Sequence, residues 1–207
     1  LCATEKSYNN LIKEGYLNFN CEIKYVGDLM LDCTEVFKDK IKEPLNSDYV
    51  LVTCHRESNT TLNKISNIIS ALNKINTNQT VLFSVHPRTR KIIDKCKIKP
   101  EFECIDPVGY FDFLGLLKNC KYLITDSGGA VREAYFFKKP SLLLLEDPLW
   151  PELVEAKVCI NCNTDKNKIL ESFLLLEKLN CDFKSGIFGD GNSRSLIVNS
   201  IFNYDNR

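Results

Sequence analysis

The sequence lacks several features that mark common classes of protein. Its formal net charge is zero, with 27 basic and 27 acidic residues. We therefore expect no nucleic-acid partner and no membrane partner, and we expect any phosphate binding to be local. No apolar run approaches the roughly 18 residues of a membrane-spanning helix, and the first residues do not resemble a signal peptide. These absences predict a cytoplasmic protein.

Metal and cofactor signals are also absent. The sequence contains only two histidines, His55 and His86. Cys159 and Cys162 have the spacing of metal ligands but no second pair near them, so we do not expect zinc. The ten cysteines lie mostly in apolar runs, which is typical of reduced, buried thiols. Because no acidic cluster has metal spacing and no dinucleotide fingerprint is complete, we predict no metal and no cofactor.

Short apolar runs alternate with helical patterns along almost the whole chain. The expected strands are residues 23–27, 49–54, 80–85, 102–105, 122–125, 141–145 and 158–160. The expected helices are residues 29–40, 62–75, 89–96, 110–119, 129–137, 151–155 and 166–179. This alternation predicts an α/β fold, a doubly wound parallel sheet with helices on both faces. The length suits one such domain, residues 1–207.

One expected strand leads directly into a turn that carries two glycines. The run at residues 122–125 is followed by Asp126, Ser127, Gly128 and Gly129, and then by a helical pattern. Such a turn directs unpaired N–H groups and the positive end of the helix dipole at one point. The glycines have no side chain to exclude an anion, and a serine hydroxyl caps the helix or donates to the ligand. The turn therefore predicts a phosphate site, and its structural alternative is a plain capped helix.

Polar residues follow the ends of neighbouring strands as well. His55 and Arg56 follow one expected strand, and His86 follows the next. Ligands bind outside the carboxyl ends of strands in open parallel sheets, so these side chains and the glycine turn are expected at one edge. Glu133, one turn into the helix after the glycines, is placed to accept hydrogen bonds from ribose hydroxyls. Each histidine alone has a structural explanation, but their convergence predicts a nucleotide site.

These motifs together resemble the non-hydrolysing UDP-N-acetylglucosamine 2-epimerase family. The resemblance is carried, in order and spacing, by residues 52–56, 84–91, 125–129, 133–134, 139–140, 151–155 and 188–192. The family has two Rossmann-like halves facing a cleft, the GT-B-type architecture of one large class of glycosyltransferases. This sequence is similar to the carboxyl-terminal, UDP-binding half, which implies a linking helix over residues 1–20 and a terminal helix over residues 189–207.

The resemblance implies that Ser127, Gly128 and Gly129 hold the diphosphate of a UDP-sugar. It further implies that Glu133 accepts hydrogen bonds from the ribose. The implied reaction inverts C2 of a UDP-linked 2-acetamido sugar by eliminating UDP to give a glycal and then adding UDP back. That chemistry serves cell-surface polysaccharide biosynthesis in the family.

Three further residues take roles from the same resemblance. His55, taken as catalytic, and Arg56 lie against the phosphate and the sugar, and His86 lies near the uridine or the diphosphate. The acids that act on the sugar ring come largely from the other half in family members. We therefore expect weak UDP affinity and little or no turnover from the isolated chain. A homodimer is implied for the full-length protein.

Departures from the family pattern keep alternatives open. The acid Glu57 is shifted by one position, Glu146 stands where an arginine is common, and Trp150 is similar to the branch acting on UDP-diacetamido uronic acids. The substrate is thus either UDP-N-acetylglucosamine or its 3-acetamido uronate relative. Two rival functions are the donor-binding half of a GT-B glycosyltransferase and a non-catalytic nucleotide-sugar-binding remnant, in which the changed acids mark lost catalysis.

Overall fold

A computed structural model describes residues 1–42, 48–183 and 186–205, without the side chain of residue 205. Its strands are β1 (Val50–Thr53), β2 (Val81–Ser84), β3 (Glu103–Ile105), β4 (Tyr122–Thr125), β5 (Ser141–Leu144) and β6 (Cys159–Cys162). Its α-helices are α1 (Glu5–Lys13), α2 (Leu29–Val36), α3 (Leu62–Asn76), α4 (Pro87–Ile93), α5 (Tyr110–Asn119), α6 (Gly128–Phe136), α7 (Pro151–Glu155), α8 (Lys166–Lys178) and α9 (Ser193–Asp205). Short 3₁₀ turns lie at Tyr16–Asn18, Lys38–Lys40 and Glu57–Asn59.

The six strands form one parallel sheet in the order β3-β2-β1-β4-β5-β6. In this register Val50 of β1 lies opposite Val81 of β2 on one side and Tyr122 of β4 on the other. The chain moves outward from β1 to β3 and then returns to the other side of β1, so the strand order reverses between β1 and β4. Such a switch point opens a crevice at the carboxyl ends of the two strands. The predicted doubly wound, Rossmann-like α/β fold is confirmed.

Both faces of the sheet are covered, as the apolar strands require. Within β1, Val50 and Val52 belong to one buried cluster, which includes residues of α3 and α8, and Leu51 belongs to a second cluster with residues of α5 and α6. This alternation follows from the two-residue period of a strand, which directs successive side chains to opposite faces. Strands β4 and β5 are buried along their whole length. The core therefore fixes the strand ends that carry the polar loops.

The residues group into two compact units. One comprises residues 41–183 and contains the sheet, and the other comprises residues 1–40 together with residues 184–207. The assignment of residues 1–207 to one carboxyl-terminal domain stays a prediction. In the smaller unit, the stretch expected as a linking helix contains α1, which Thr4 caps, and Gly15 at φ 84° follows it. The backbone amides of Ser193 and Arg194 at the start of α9 donate to the Asp32 carboxylate at 3.1 and 2.8 Å.

The expected first strand, residues 23–27, is wrong. Only Tyr25 of this segment pairs, in a single parallel bridge with Cys2. Cys2 donates to the Lys24 carbonyl at 2.7 Å, and Val26 donates to the Cys2 carbonyl at 3.0 Å. Gly27 follows at φ 80°, a left-handed conformation that ends extended pairing. The apolar pattern is therefore explained by burial of Val26 rather than by a strand of the sheet.

All ten cysteines are free thiols. Burial raises the pKa of Cys120 and Cys162 to about 12, and that of Cys159 to about 11. These thiols are consequently protonated at neutral pH and are poor nucleophiles. Among the helices of the described ranges, none has the length and apolar character that crossing a bilayer requires.

Candidate functional site

The turn between β4 and α6 presents free donors. Ser127 is the N-cap of α6, and its hydroxyl accepts from the Ala130 N–H at 3.3 Å. The N–H groups of Gly128 and Gly129 follow in the first turn, where no helix carbonyl precedes them, and within the described ranges neither donates a hydrogen bond. Two adjacent amides and the helix dipole therefore act at one place. This arrangement suits an anion.

Side chains from the segment after β5 lie against the same turn. A Cβ atom on Gly128 would lie 2.7 Å from Leu149 Cδ1 and 3.6 Å from Trp150 Nε1. The Gly128 carbonyl accepts hydrogen bonds from Trp150 Nε1 at 3.0 Å and from Arg132 Nε at 3.2 Å. The Arg132 guanidinium lies 4.8 Å from the Trp150 ring centroid, a cation–π contact. Leu149 and Trp150 thus cover the side of Gly128 where a side chain would project, and Gly128 itself is held by its carbonyl.

A buried carboxylate organises the loop after β1. Asp126 is 0% exposed and accepts hydrogen bonds from the backbone amides of His55 at 3.1 Å and Arg56 at 2.9 Å. The Asn59 amide donates to it at 3.3 Å, and the Cys54 thiol donates at 3.4 Å. No role for Asp126 was predicted from the sequence. An acid directly after the apolar run that ends at Thr125 was the signal, because a buried carboxylate requires several donors.

The structure brings the two histidines together at this edge. Their ring centroids are 6.4 Å apart with an interplanar angle of 43°, and both side chains are exposed. His55 Nδ1 lies 3.3 Å from Asp126 Oδ1. His86 is the N-cap of α4, and its Nδ1 accepts from the Arg88 N–H at 3.2 Å. Both imidazoles therefore lie on one rim of the switch-point crevice, where β1 and β2 end.

Glu133 and Arg56 occupy different environments. Glu133 lies in α6 and is only 4% exposed, so little of its surface is accessible to a ligand in this conformation. Arg56 is half-buried and lines a pocket of about 320 Å³. The structure therefore places Arg56 at an open site, whereas Glu133 lies beneath the surface.

That pocket is bounded by the ends of β1, β5 and β6 and includes Leu149, which also contacts Gly128. Arg56 and Lys64 bring positive charge to its wall, and Glu146 and Asp147 bring negative charge. The Asn161 amide donates to the carbonyls of Leu145 and Glu146 at 2.9 and 2.8 Å and so holds the segment after β5. Through Leu149 the pocket adjoins the glycine turn, and its wall carries charges of both signs. This pocket was not predicted from the sequence.

Within the described part of the chain, no three His, Cys, Asp or Glu side chains are arranged to hold a metal ion. The polar groups at the crevice are instead donors, imidazoles and the carboxylate that orients them. Their chemistry fits a phosphorylated organic ligand better than a bare cation.

Comparison with known proteins shows the family of the chain. A family model described as UDP-N-acetylglucosamine 2-epimerase matches residues 1–202. The chain is 32% identical over 203 residues to the UDP-2,3-diacetamido-2,3-dideoxy-D-glucuronate 2-epimerase of Pseudomonas aeruginosa, covering 95% of this chain and 57% of that protein. It is 33% identical over 219 residues to the UDP-N-acetylglucosamine 2-epimerase of Methanococcus maripaludis, with 96% and 59% covered.

Solved structures show the same likeness. The crystal structure of Methanocaldococcus jannaschii UDP-GlcNAc 2-epimerase in complex with UDP-GlcNAc and UDP matches with a TM-score of 0.84 at 31% identity. The match covers 98% of this chain and 60% of that chain. The present chain thus spans less than two thirds of the length of the relatives it matches, 57% and 59% for the two curated proteins.

Proposed function

Because the chain belongs to the UDP-N-acetylglucosamine 2-epimerase family, we propose that it binds a UDP-linked 2-acetamido sugar and takes part in inverting C2 of that sugar. One observation carries the proposal. The start of α6, with its free glycine amides, follows β4, and the two neighbouring imidazoles follow β1 and β2, so all of them lie at the carboxyl-terminal edge of the sheet. A diphosphate with an attached sugar is the ligand class that uses all of these groups.

In this proposal the diphosphate lies on the start of α6. The Gly128 and Gly129 amides donate to its oxygens, and the Ser127 hydroxyl adds a third donor. Arg56, in the adjoining pocket, supplies positive charge. These donors are fixed before the ligand arrives, so binding does not incur the cost of ordering them.

Glu133 is proposed to accept hydrogen bonds from the ribose hydroxyls. Because its side chain is 4% exposed, the contact requires a rotamer change or a displacement of the residues that cover it. A ribose contact at Glu133 is therefore coupled to a local rearrangement of its side chain or of the side chains that cover it.

The proposed reaction is an elimination followed by a re-addition. A base removes the C2 proton, the C1–O bond to UDP breaks with its electrons leaving on the diphosphate, and a glycal forms. UDP then adds back to C1 while a proton is delivered to the other face of C2. Negative charge develops on the departing phosphate, and donors held in place before the reaction stabilise it. The residues of this chain perform that task, with His55 beside the reacting sugar.

We further propose that the acids acting on the sugar ring belong to a part of the protein outside these residues. The support is that the chain spans only 57 to 60% of its relatives' lengths. The chain by itself is then expected to bind UDP and to show little or no turnover. Clear epimerisation by this chain alone contradicts the proposal that the acids lie outside these residues, but it does not contradict the proposed UDP site.

A glycosyltransferase with the same architecture is disfavoured by the family match. One assay with the full-length protein distinguishes epimerase activity from transferase activity. An epimerase exchanges the C2 hydrogen with deuterated solvent when no acceptor is present, whereas a transferase releases UDP only with an acceptor. The assay uses both UDP-N-acetylglucosamine and its 2,3-diacetamido uronate relative, since relatives named for each substrate match the chain.

Calorimetry with UDP tests the site directly. We expect Ser127→Ala to weaken UDP binding about tenfold, because a hydrogen bond to a charged phosphate is lost. Thr61→Ala is the matched control, since Thr61 caps α3 by accepting from the Lys64 N–H. Both variants should lose about 1 kcal/mol of stability, but only the first should lose affinity. Absence of UDP binding by the parent chain, or equal losses in both variants, contradicts the proposal.

A further inference from the structure

The only two histidines of the chain lie side by side but have different neighbours at Nδ1. A neutral imidazole carries one ring proton, and the partner of one nitrogen decides which nitrogen holds it. His55 and His86 therefore need not present the same group to a ligand, although both are exposed at the same rim.

For His86 the assignment follows from the local chain. Its Nδ1 accepts a hydrogen bond from the Arg88 N–H at 3.2 Å, as part of the cap of α4. A nitrogen that accepts a hydrogen bond uses its lone pair, so the proton of the neutral ring is on Nε2. His86 thus presents an N–H donor to a ligand.

For His55 the neighbour is a carboxylate. Its Nδ1 lies 3.3 Å from Asp126 Oδ1, and an ionised carboxylate only accepts hydrogen bonds. The neutral ring is therefore expected to carry its proton on Nδ1 and to leave a lone pair on Nε2. Asp126 is itself fixed, because it is 0% exposed and accepts from the amides of His55 and Arg56 and from Asn59. The side chain of His55 is 46% exposed, so the remainder of the ring is accessible.

We propose that the two histidines hold opposite ring tautomers, and that Asp126 is the positioning residue that sets the tautomer of His55. Nε2 of His55 accepts a hydrogen bond, whereas Nε2 of His86 donates one, across a ring separation of 6.4 Å. The ligand contacts of the two rings rest on the proposed function. In that function His86 donates to a diphosphate oxygen, and His55 accepts from an N–H or O–H of the sugar. The pair thereby offers a hydrogen-bond donor to the phosphate side of the sugar–phosphate bond and an acceptor to the sugar side.

The tautomers are measured without any ligand. Two-bond proton–nitrogen correlation spectra of the full chain with ¹⁵N-labelled histidine contain only two ring patterns, and His55→Gln and His86→Gln assign them. At a pH at which the spectra show both rings to be neutral, we expect His55 to be protonated at Nδ1 and His86 at Nε2. The same tautomer on both rings, or the reverse pair, overturns the proposal.

The role of Asp126 is tested in the same spectra. Asp126→Asn should abolish the Nδ1 preference of His55 and leave the His86 pattern unchanged, and Asp147→Asn, an exposed aspartate, should change neither ring. An unchanged His55 pattern in folded Asp126→Asn overturns the positioning role. If Asp126→Asn does not fold, the parent spectrum still decides the tautomers.

UDP binding then separates this inference from the proposed function. We expect His86→Ala to weaken UDP binding about tenfold, and His86→Gln, which keeps an N–H near the Nε2 position, to weaken it less. Equal losses in these two variants contradict the donor role of His86. Absence of UDP binding in the parent chain overturns the proposed function alone, since the ring spectra are read without UDP.

Discussion

Two loops approach the candidate site from strands β1 and β5, which lie on either side of β4, and they are held in different ways. The loop at residues 54–59, after β1, is tied through its backbone amides to Asp126, which is 0% exposed. The loop at residues 145–149, after β5, exposes Glu146 and Asp147 and is held through two carbonyls by the Asn161 amide. The first loop is therefore anchored to a buried carboxylate, although His55, Glu57 and Ser58 are exposed, and the second is anchored by a half-buried amide.

This difference corresponds to two demands on the proposed sugar-nucleotide site. Groups that meet developing charge must be fixed in advance, and a buried carboxylate with several donors provides that order. Groups that select one substrate over another differ between related proteins. Exposed side chains on a surface loop allow such differences, because they are substituted without loss of the fold. We infer that chemistry depends on the 54–59 loop and that substrate choice depends on the 145–149 loop.

The largest expected effect comes from removing the buried carboxylate. Asp126→Ala leaves the amides of His55 and Arg56 and the Asn59 side chain without their acceptor, so we expect a loss of about 3–5 kcal/mol in the free energy of unfolding. Asp147→Ala, in the other loop, should change it by less than about 0.5 kcal/mol. Urea unfolding measures both. Similar losses in the two variants would remove the distinction between the loops.

A second effect concerns two buried thiols, Cys54 in the 54–59 loop and Cys162 at the end of β6. Burial raises the pKa of Cys162 to about 12, and burial together with the Asp126 carboxylate raises the pKa of Cys54 well above its usual value. Between the ordinary thiol pKa of about 8.5 and the raised value, the unfolded chain loses a proton that the folded chain keeps. Each such thiol therefore stabilises the fold fully below about pH 8.5 and progressively less as the pH rises.

The expected slope is about −1.4 kcal/mol per pH unit for each raised thiol, or about 2 kcal/mol per thiol by pH 10. Urea unfolding between pH 7 and pH 10 measures it, and Cys162→Ala should make the decline shallower by one such slope. A pH-independent stability over this range contradicts the assignment of buried, protonated thiols.

The smallest effect tests the 145–149 loop. Glu146→Gln removes a negative charge from the pocket that also contains Arg56 and Lys64, so UDP should bind about two- to threefold more tightly at low salt. Glu101→Gln is the control, because Glu101 is exposed and precedes β3, at the opposite edge of the sheet. Calorimetry at two salt concentrations separates a charge effect, which salt screens, from a change of shape. Weaker binding in Glu146→Gln would mean that this carboxylate contacts the ligand favourably.

Much of the fold follows from short-range patterns in the sequence. Apolar runs such as Tyr122–Thr125 and the Ser127 cap are local signals, and a regular alternation of strands and helices leaves few topologies. The expected strand at residues 23–27 failed because a strand needs partners, and this segment pairs only through Cys2. A local apolar pattern predicts an extended backbone. Whether that backbone pairs in a sheet depends on which segments from the rest of the chain lie beside it.

The site was predictable to the extent that strand ends share an edge. The placement of His55 and His86 near one another follows from that rule. The role of Asp126 and the burial of Glu133 do not, because both depend on which side chains pack around a carboxylate. The contact of Leu149 with Gly128 joins residues 21 positions apart through a loop whose path no local motif specifies.

We propose above all that UDP binds at the start of α6, on the side of the neighbouring imidazoles. A titration of the ¹⁵N-labelled chain with UDP, followed by amide and histidine-ring spectra, tests it most directly. We predict the largest shifts at the Gly128 and Gly129 amides and at Nε2 of His86, with small shifts in residues 1–40. Shifts confined to other parts of the chain, or none at saturating UDP, would contradict the account.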